Sequence, residues 1–363
     1  MREYKPMLFV SRSALEKNYH LLKAKAGCRL WCVVKSNAYG HSLKEAALAF
    51  YEAGADAFAV ANIGEAVALR ALLPGVRILI LGVTDPRETD ILCDQKLTQS
   101  VHSPDYTWLL AHKATSKLKV HIKIDIGMHR LGFESTDTEQ LAKEIVQIKA
   151  LPNLEIDGIF AHLPSADCVN DIKTPTQIEQ FKEIISLLGQ KGIEAHTHLS
   201  NSAGVLRYGS LGFDGVRCGM ALYGISPANE VYSSALFPAM ALYCPILQIR
   251  TVGKGEKIGY GGAYETKEPT RIATLPLGYA DGLLRRCEGA RVTLYGKRVP
   301  LCGHICMTMC MADIGALPAE EGDYVRFFGR NQEEIFALAK QANTSHYEVL
   351  ASLSPSIPRI YTE

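Results

Sequence analysis

The feature that most restricts the fold is a rhythm. Over roughly the first 230 residues, short apolar runs alternate with amphipathic helical segments. Strands are expected at Met7–Val10, Leu30–Val34, Ala57–Val60, Val76–Val83, Leu118–Ile126, Leu154–His162, His196–Leu199 and Phe213–Tyr223. Helices are expected between them, the first opened by a capping box at Ser13 and Glu16. Residues 88–117 are less regular and should hold one more strand and two helices. Near-continuous apolar strands joined by helical crossovers imply a parallel sheet covered on both faces. About eight such units fit a closed (β/α)8 TIM-like barrel, whose functional residues gather at the C-terminal strand ends. An open doubly wound sheet is disfavoured, because no G-x-G-x-x-G turn follows an early strand.

Near residue 235 the rhythm changes. Short strands are expected at Met240–Val252, Ile272–Leu277, Arg291–Leu294, Val299–Met311 and Tyr324–Phe328, joined by turns such as Gly253-Lys254-Gly255. The fold class is therefore α/β: a barrel over 1–234, then a mainly β domain over 235–363. The first strand can belong to either.

Composition narrows the function. A net charge of +1 gives no basic excess for nucleic acid or an anionic membrane surface. No apolar run approaches the ~20 residues that span a bilayer, and the N-terminus lacks an apolar signal core. The ten cysteines are scattered, several within apolar strands. That pattern fits reduced core thiols in a cytoplasmic protein better than a disulfide framework. Cys302, Cys306 and Cys310 with His304 invite a zinc site, but strand-like alternation would split them between two faces. No metal is expected.

Lys35 closes the buried run Leu30–Val34. An ammonium there sits where burial disfavours charge, so its pKa should fall. A neutral amine is what a Schiff-base lysine needs to attack a carbonyl. The plain structural reading is a lysine that snorkels to water. Farther on, Lys123 and Asp125 share one strand face and need partners, each other first of all. His162 ends a strand, Ser202 lies in a polar turn, and Arg217 follows a buried run. Each taken alone is as readily structural.

Together the motifs decide. Val33-Val34-Lys35-Ser36-Asn37-Ala38-Tyr39-Gly40-His41 resembles the cofactor-lysine segment of bacterial alanine racemases, with Ser36 in place of an alanine. Six more segments follow in the family's order, so the resemblance spans nearly the whole chain. It implies an amino-acid racemase using pyridoxal 5'-phosphate and acting on alanine. Lys35 would carry the cofactor, and Tyr39, Ser202, Gly219 and Met220 would bind its phosphate. Arg130 would contact the cofactor's phenolic oxygen and the substrate carboxylate. Lys123 matches a position often carbamylated. His162 would lie close to the cofactor ring, and Asp167 near the substrate corridor. Arg217 would face the pyridine nitrogen. Tyr260 would be the second base, with Tyr279 and Met307 at the substrate, all three acting across the interface of a head-to-tail homodimer with shared sites. No nucleic-acid or membrane partner is expected.

The departures are informative. His129 and Ile126 replace a glycine and a threonine, His304 and Thr308 an arginine and an aspartate, and Pro355 a tyrosine. The last would enlarge the pocket toward serine's hydroxymethyl group. It gives a likeness to the serine/alanine racemase domains of vancomycin-resistance proteins, with serine as the alternative substrate. A decarboxylase on the same plan and a non-catalytic cofactor carrier are the other readings. Arg217 speaks against the first, since those relatives pair the ring nitrogen with an acid. The β domain speaks against the second.

Overall fold

The computed structural model describes residues 4–228 and 235–363, and these divide into two compact units. The expected division at 234 lies outside the described residues.

The first unit comprises Glu16–Ala38 and Leu43–Leu222. Its core is a closed parallel barrel of eight strands: β2 (Arg29–Val33), β3 (Ala57–Val60), β4 (Arg77–Ile80), β5 (Thr98–Val101), β6 (Leu118–Lys123), β7 (Leu154–Phe160), β8 (His196–His198) and β9 (Gly215–Cys218). β9 returns to pair with β2, so the sheet has no free edge. β3 and β5 are buried along their whole length, as strands covered on both faces must be. β5 carries Gln99 and Ser100 into that interior. Both are satisfied: Thr84 Oγ1 donates to Gln99 Oε1 at 2.6 Å, Gln99 Nε2 donates to Gly82 O at 2.7 Å, and Ser100 Oγ donates to Ile80 O at 2.5 Å. The crossover helices carry side-chain caps where the sequence offers them, as at Ser103, which accepts from Tyr106 N, and Asp137, which accepts from Gln140 N.

The second unit comprises the chain up to Leu15, Tyr39–Ser42 and Tyr223 onward. It holds a nine-stranded sheet in the order β11-β14-β17-β16-β15-β18-β10-β1-β19 and a two-stranded ribbon, β12 (Lys257–Ile258) with β13 (Tyr264–Glu265). The sheet strands are β1 (Met7–Ser11), β10 (Met240–Pro245), β11 (Gln248–Val252), β14 (Thr270–Leu275), β15 (Arg291–Leu294), β16 (Lys297–Cys302), β17 (Cys310–Asp313), β18 (Tyr324–Phe328) and β19 (Arg359–Thr362). β1 pairs antiparallel with β10 and parallel with β19, so the chain's two ends meet in one sheet.

Three expectations are corrected. The helix Arg12–Ala26 is capped by Ser11, whose Oγ accepts from Ala14 N, and so starts before the Ser13 box. The run Val299–Met311 is two strands with a loop between them, because Gly303 turns into the left-handed region at φ 71°. Strand β6 ends at Lys123 and does not reach Ile126.

In this unit Glu334, on the helix Gln332–Gln341, accepts from Arg326 Nη2 at 2.8 Å and from Thr293 Oγ1 at 3.2 Å. The helix is thereby fastened to β18 and β15. Glu334→Ala would leave a mostly covered guanidinium without its anion. It should cost about 2–3 kcal/mol, somewhat less than a fully buried pair, read as a lowered urea midpoint. A change below ~0.5 kcal/mol would place the pair in effectively open solvent.

Candidate functional site

The site begins where β2 ends. Val34 N donates to Ala59 O and keeps the ladder for one more residue, and then the chain leaves it. Ser36, Asn37, Ala38 and Tyr39 all lie in the left-handed region, at φ 53–54°. Such a conformation costs roughly 1–2 kcal/mol per non-glycine residue, and it persists only when its surroundings impose it. Glu65 supplies much of that. Its Oε1 accepts from Ser36 N at 2.6 Å and Asn37 N at 3.3 Å, and its Oε2 accepts from Ala61 N at 2.9 Å. Asn37 Oδ1 accepts from Leu43 N, and Ala38 N donates to Val34 O. Glu65 went unnoticed in the sequence. An acid three residues after Asn62 reads as a helix start, and nothing local shows that it reaches another loop.

The turn leaves Lys35 half-buried. Burial, and then the nearby charge of Arg130, lower its pKa, as the sequence implied. Lys123, at the end of β6, is buried and makes no salt bridge among the described residues. The expected pairing with Asp125 does not form. The Asp125 carboxylate accepts from Gly127 N and Met128 N instead, both at 2.9 Å, and so shapes the loop that carries Arg130. Lys123 is pushed down to about 8, first by burial and then by Arg130, Arg217 and Lys35. His162 is pushed down to about 3 by burial and by the same cations, so it is neutral at physiological pH.

Arg217, on β9, is 4% exposed. Nη1 donates to His198 Nδ1 at 2.7 Å and His198 O at 3.0 Å, and Nη2 donates to Ala161 O at 2.6 Å and Leu199 O at 3.2 Å. Its Cζ lies 4.9 Å from the centre of the Phe160 ring. Nε makes none of these bonds. Burial lowers its pKa to about 9.

Ser202 opens the helix Ser202–Tyr208, and its Oγ accepts from Gly219 N at 2.9 Å and Ala221 N at 3.4 Å. The Gly219 N–H is thus engaged with Ser202, whose side chain also hydrogen-bonds Cys218. Met220 begins the 3-10 turn that follows.

Lys35, Lys123, Arg130, His162, Ser202, Arg217, Gly219 and Met220 all belong to the barrel unit. Arg130 is exposed there, as is Asp167. Tyr39, Tyr260, Tyr279 and Met307 belong to the other unit. The Tyr39 ring packs near Tyr223 and Tyr347, with centroids 5.1 and 6.2 Å apart. Tyr279 N donates to Cys306 O and Ala280 N to Met307 O, so these two loops are laced together. Gly278 sits so close that a Cβ would lie 2.3 Å from Met307 O. Gly259 approaches His304 from the Tyr260 side. The result is an outward cluster: Tyr260 is 71%, Met307 59% and Tyr279 45% exposed.

The models of two protein domains match this chain: the alanine racemase N-terminal domain over residues 10–227 and the alanine racemase C-terminal domain over 239–361. The chain belongs to the alanine racemase family. Alanine racemase 1 of Clostridium acetobutylicum is 37% identical over 340 residues, covering 91% of this chain and 88% of the relative. Alanine racemase of Helicobacter pylori is 36% identical over 373 residues, 97% of each chain. Among solved structures, the alanine racemase from Bacillus anthracis with bound L-Ala-P superposes with a TM-score of 0.92 at 32% identity, covering 99% of this chain and 96% of that one. The family resemblance read from the motifs therefore stands on the whole chain.

Lys123 yields a direct test. The unfolded chain, with a lysine near its reference ~10.4, binds more protons than the folded one between that value and about 8. Protonating Lys123 therefore penalises the fold, and stability from this group rises with pH across that window. Competitive acetylation should show Lys123 reaching half its limiting reactivity near pH 8, well below the exposed lysines. A midpoint among those of the exposed lysines would contradict the site's electrostatics.

Proposed function

We propose that this chain racemises alanine with pyridoxal 5'-phosphate, Lys35 serving one face of the substrate's Cα and Tyr260 of a second copy serving the other. The observation that carries the reading is the half-buried Lys35 amine with its lowered pKa, fixed at a barrel strand end by a clamped left-handed turn. The donors around it suit the cofactor. Ser202 presents its hydroxyl beside the Gly219 amide, Arg217 has an Nε–H with no partner among the described residues, and His162 is neutral. Lys35, Tyr39, Arg130, His162, Ser202, Arg217, Gly219 and Met220 would hold it.

Bound there, the cofactor would supply the electron withdrawal that makes the substrate's Cα proton removable. Lys35 Nζ removes that proton as the neutral amine and returns one as the ammonium so formed, on its side. Tyr260 Oη does the same on the opposite side, accepting a proton in one direction and giving one in the other. Arg217 only donates hydrogen bonds. It cannot supply the ring nitrogen with an anionic partner that keeps it protonated, so electron withdrawal stays moderate and reprotonation at Cα is favoured over amino transfer. Arg130, Tyr279 and the Met307 backbone bind the substrate. A carbamate on Lys123, formed when its neutral amine adds to carbon dioxide and releases a proton, would give Arg130 an anion to hold.

The exposed Tyr260, Tyr279 and Met307 support a head-to-tail homodimer in which the β-rich domain from 235 onward supplies the second base and dimer contacts to the barrel of 1–234. A cytoplasmic location accords with the absence, among the described residues, of any helix long and apolar enough to cross a membrane. Serine is the substrate to compare with alanine, because Pro355 stands where the family has a tyrosine.

Exchange of the Cα proton in deuterium oxide, followed by chiral chromatography of alanine and serine, tests the reading. Wild-type enzyme should exchange and racemise alanine faster than serine. Tyr260→Phe should slow one direction more than the other, by something like the ~10²–10⁴ of a lost acid–base group. Faster turnover of serine would reverse the substrate order. Equal small effects in both directions would remove Tyr260 from its role.

A further inference from the structure

The barrel interior holds a second group of polar side chains with no part in the chemistry above. It starts at Arg217. Arginine only donates, so His198 Nδ1 must accept from Nη1. A neutral His198 then carries its proton on Nε2, which lies 2.8 Å from His121 Nδ1. That contact makes His121 Nδ1 an acceptor and puts its proton on Nε2, 3.4 Å from Asp157 Oδ2. Asp157 in turn accepts from Lys119 Nζ at 2.6 Å. Every bond from Arg217 to Asp157 points the same way, from a buried cation to a carboxylate that Lys119 meets from the other side.

Three further features are shaped around this series. β7 has a bulge: Val120 pairs with Ile156 and His121 with Gly158, so Asp157 is the extra residue, and bulges re-aim side chains. A Cβ on Gly158 would lie 2.6 Å from the His121 ring, so only glycine leaves room for it. His198 is stacked on Phe160, with centroids 4.8 Å and planes 4° apart, and Trp31 covers it from another side at 5.8 Å. Both imidazoles are wholly buried, and burial lowers the pKa of each.

Outside the series, Lys123, which ends β6, and His162, which follows β7, also feel the charge of Arg217. Neither offers it an anion. The carboxylate at the end of the imidazole series does.

We propose that His198, His121 and Asp157 form a one-directional hydrogen-bond relay that fixes the orientation of the Arg217 guanidinium and compensates its buried charge. His121 and Asp157 are thereby positioning residues for the family's reaction, acting at a distance from the substrate. No proton moves along the relay. Aligned N–H dipoles carry the influence of Asp157 to a cation with no carboxylate of its own. The inference rests on the reading of Arg217 as the partner of the cofactor's ring nitrogen.

The test needs two measurements. In the ¹⁵N-labelled protein, His121 and His198 should both show a protonated Nε2 and a bare Nδ1, with a coupling across the bond between the rings. Neither should titrate through the range around ~6.5 where a free imidazole does. The second measurement compares two variants as holoenzymes. His121→Leu fills similar space but severs the relay. It should lower kcat by about 10-fold, in the range outer-shell partners cost, with KM within about twofold, and should shift the bound cofactor's absorption spectrum. His121→Gln, which can accept at Oε1 and donate at Nε2, should restore both. Either histidine in the other tautomer, or a titrating one, would overturn the relay. So would a folded His121→Leu protein with unchanged kcat and spectrum beside an active wild type. An inactive wild type with the expected tautomers would instead count against the proposed function.

Discussion

Everything at the site depends on how one strand is allowed to end. β2 delivers Lys35 from a buried ladder, and the next four residues must then turn left-handed, a conformation that L-residues avoid. One carboxylate makes this tolerable. Glu65 gathers the amides of Ser36, Asn37 and Ala61, so the donors freed by leaving the strand are satisfied. The strained turn keeps the amine half-covered and among cations, and that environment keeps it uncharged more easily than an exposed lysine. The local fold and the amine's chemistry have the same cause.

The rest of the barrel site follows from an excess of positive charge. Arg130, Arg217 and Lys35 act on Lys123, all four act on His162, and the carboxylates in reach hold backbone amides. Asp125 caps its own loop, and Glu65 caps the left-handed turn. Such a site suits an anionic ligand and substrate carboxylate. Lys123, buried without a salt bridge among the described residues, is by the same charges held toward its neutral form. Arg217 is the extreme case, compensated by carbonyls, the Phe160 face and a line of imidazoles.

Much of this was legible in the sequence. The barrel followed from strand–helix repetition, and Lys35 stood out because an ammonium closes an apolar run. Arg130, Arg217 and Tyr260 were legible only as parts of long motifs, since each alone has an ordinary structural reading. What could not be read was tertiary. Glu65 looks like a helix-start acid. His196-Thr197-His198 looks like an alternating strand, and its second histidine gains meaning only when β6 brings His121 against it. The bulge at Asp157 leaves no local trace in the sequence Glu155-Ile156-Asp157-Gly158, apart from a glycine whose purpose is the neighbouring strand's ring. The run Val299–Met311 misled because its alternation continues through a turn that Gly303 alone marks.

The most direct test of the central claim is chemical trapping. The protein is incubated with pyridoxal 5'-phosphate, reduced with borohydride, digested and mapped by mass spectrometry. The account predicts that the reduced cofactor is found on the peptide containing Lys35, and that Glu65→Ala diminishes the yield. Label spread over exposed lysines, or carried by Lys123 with Lys35 unmodified, would contradict it.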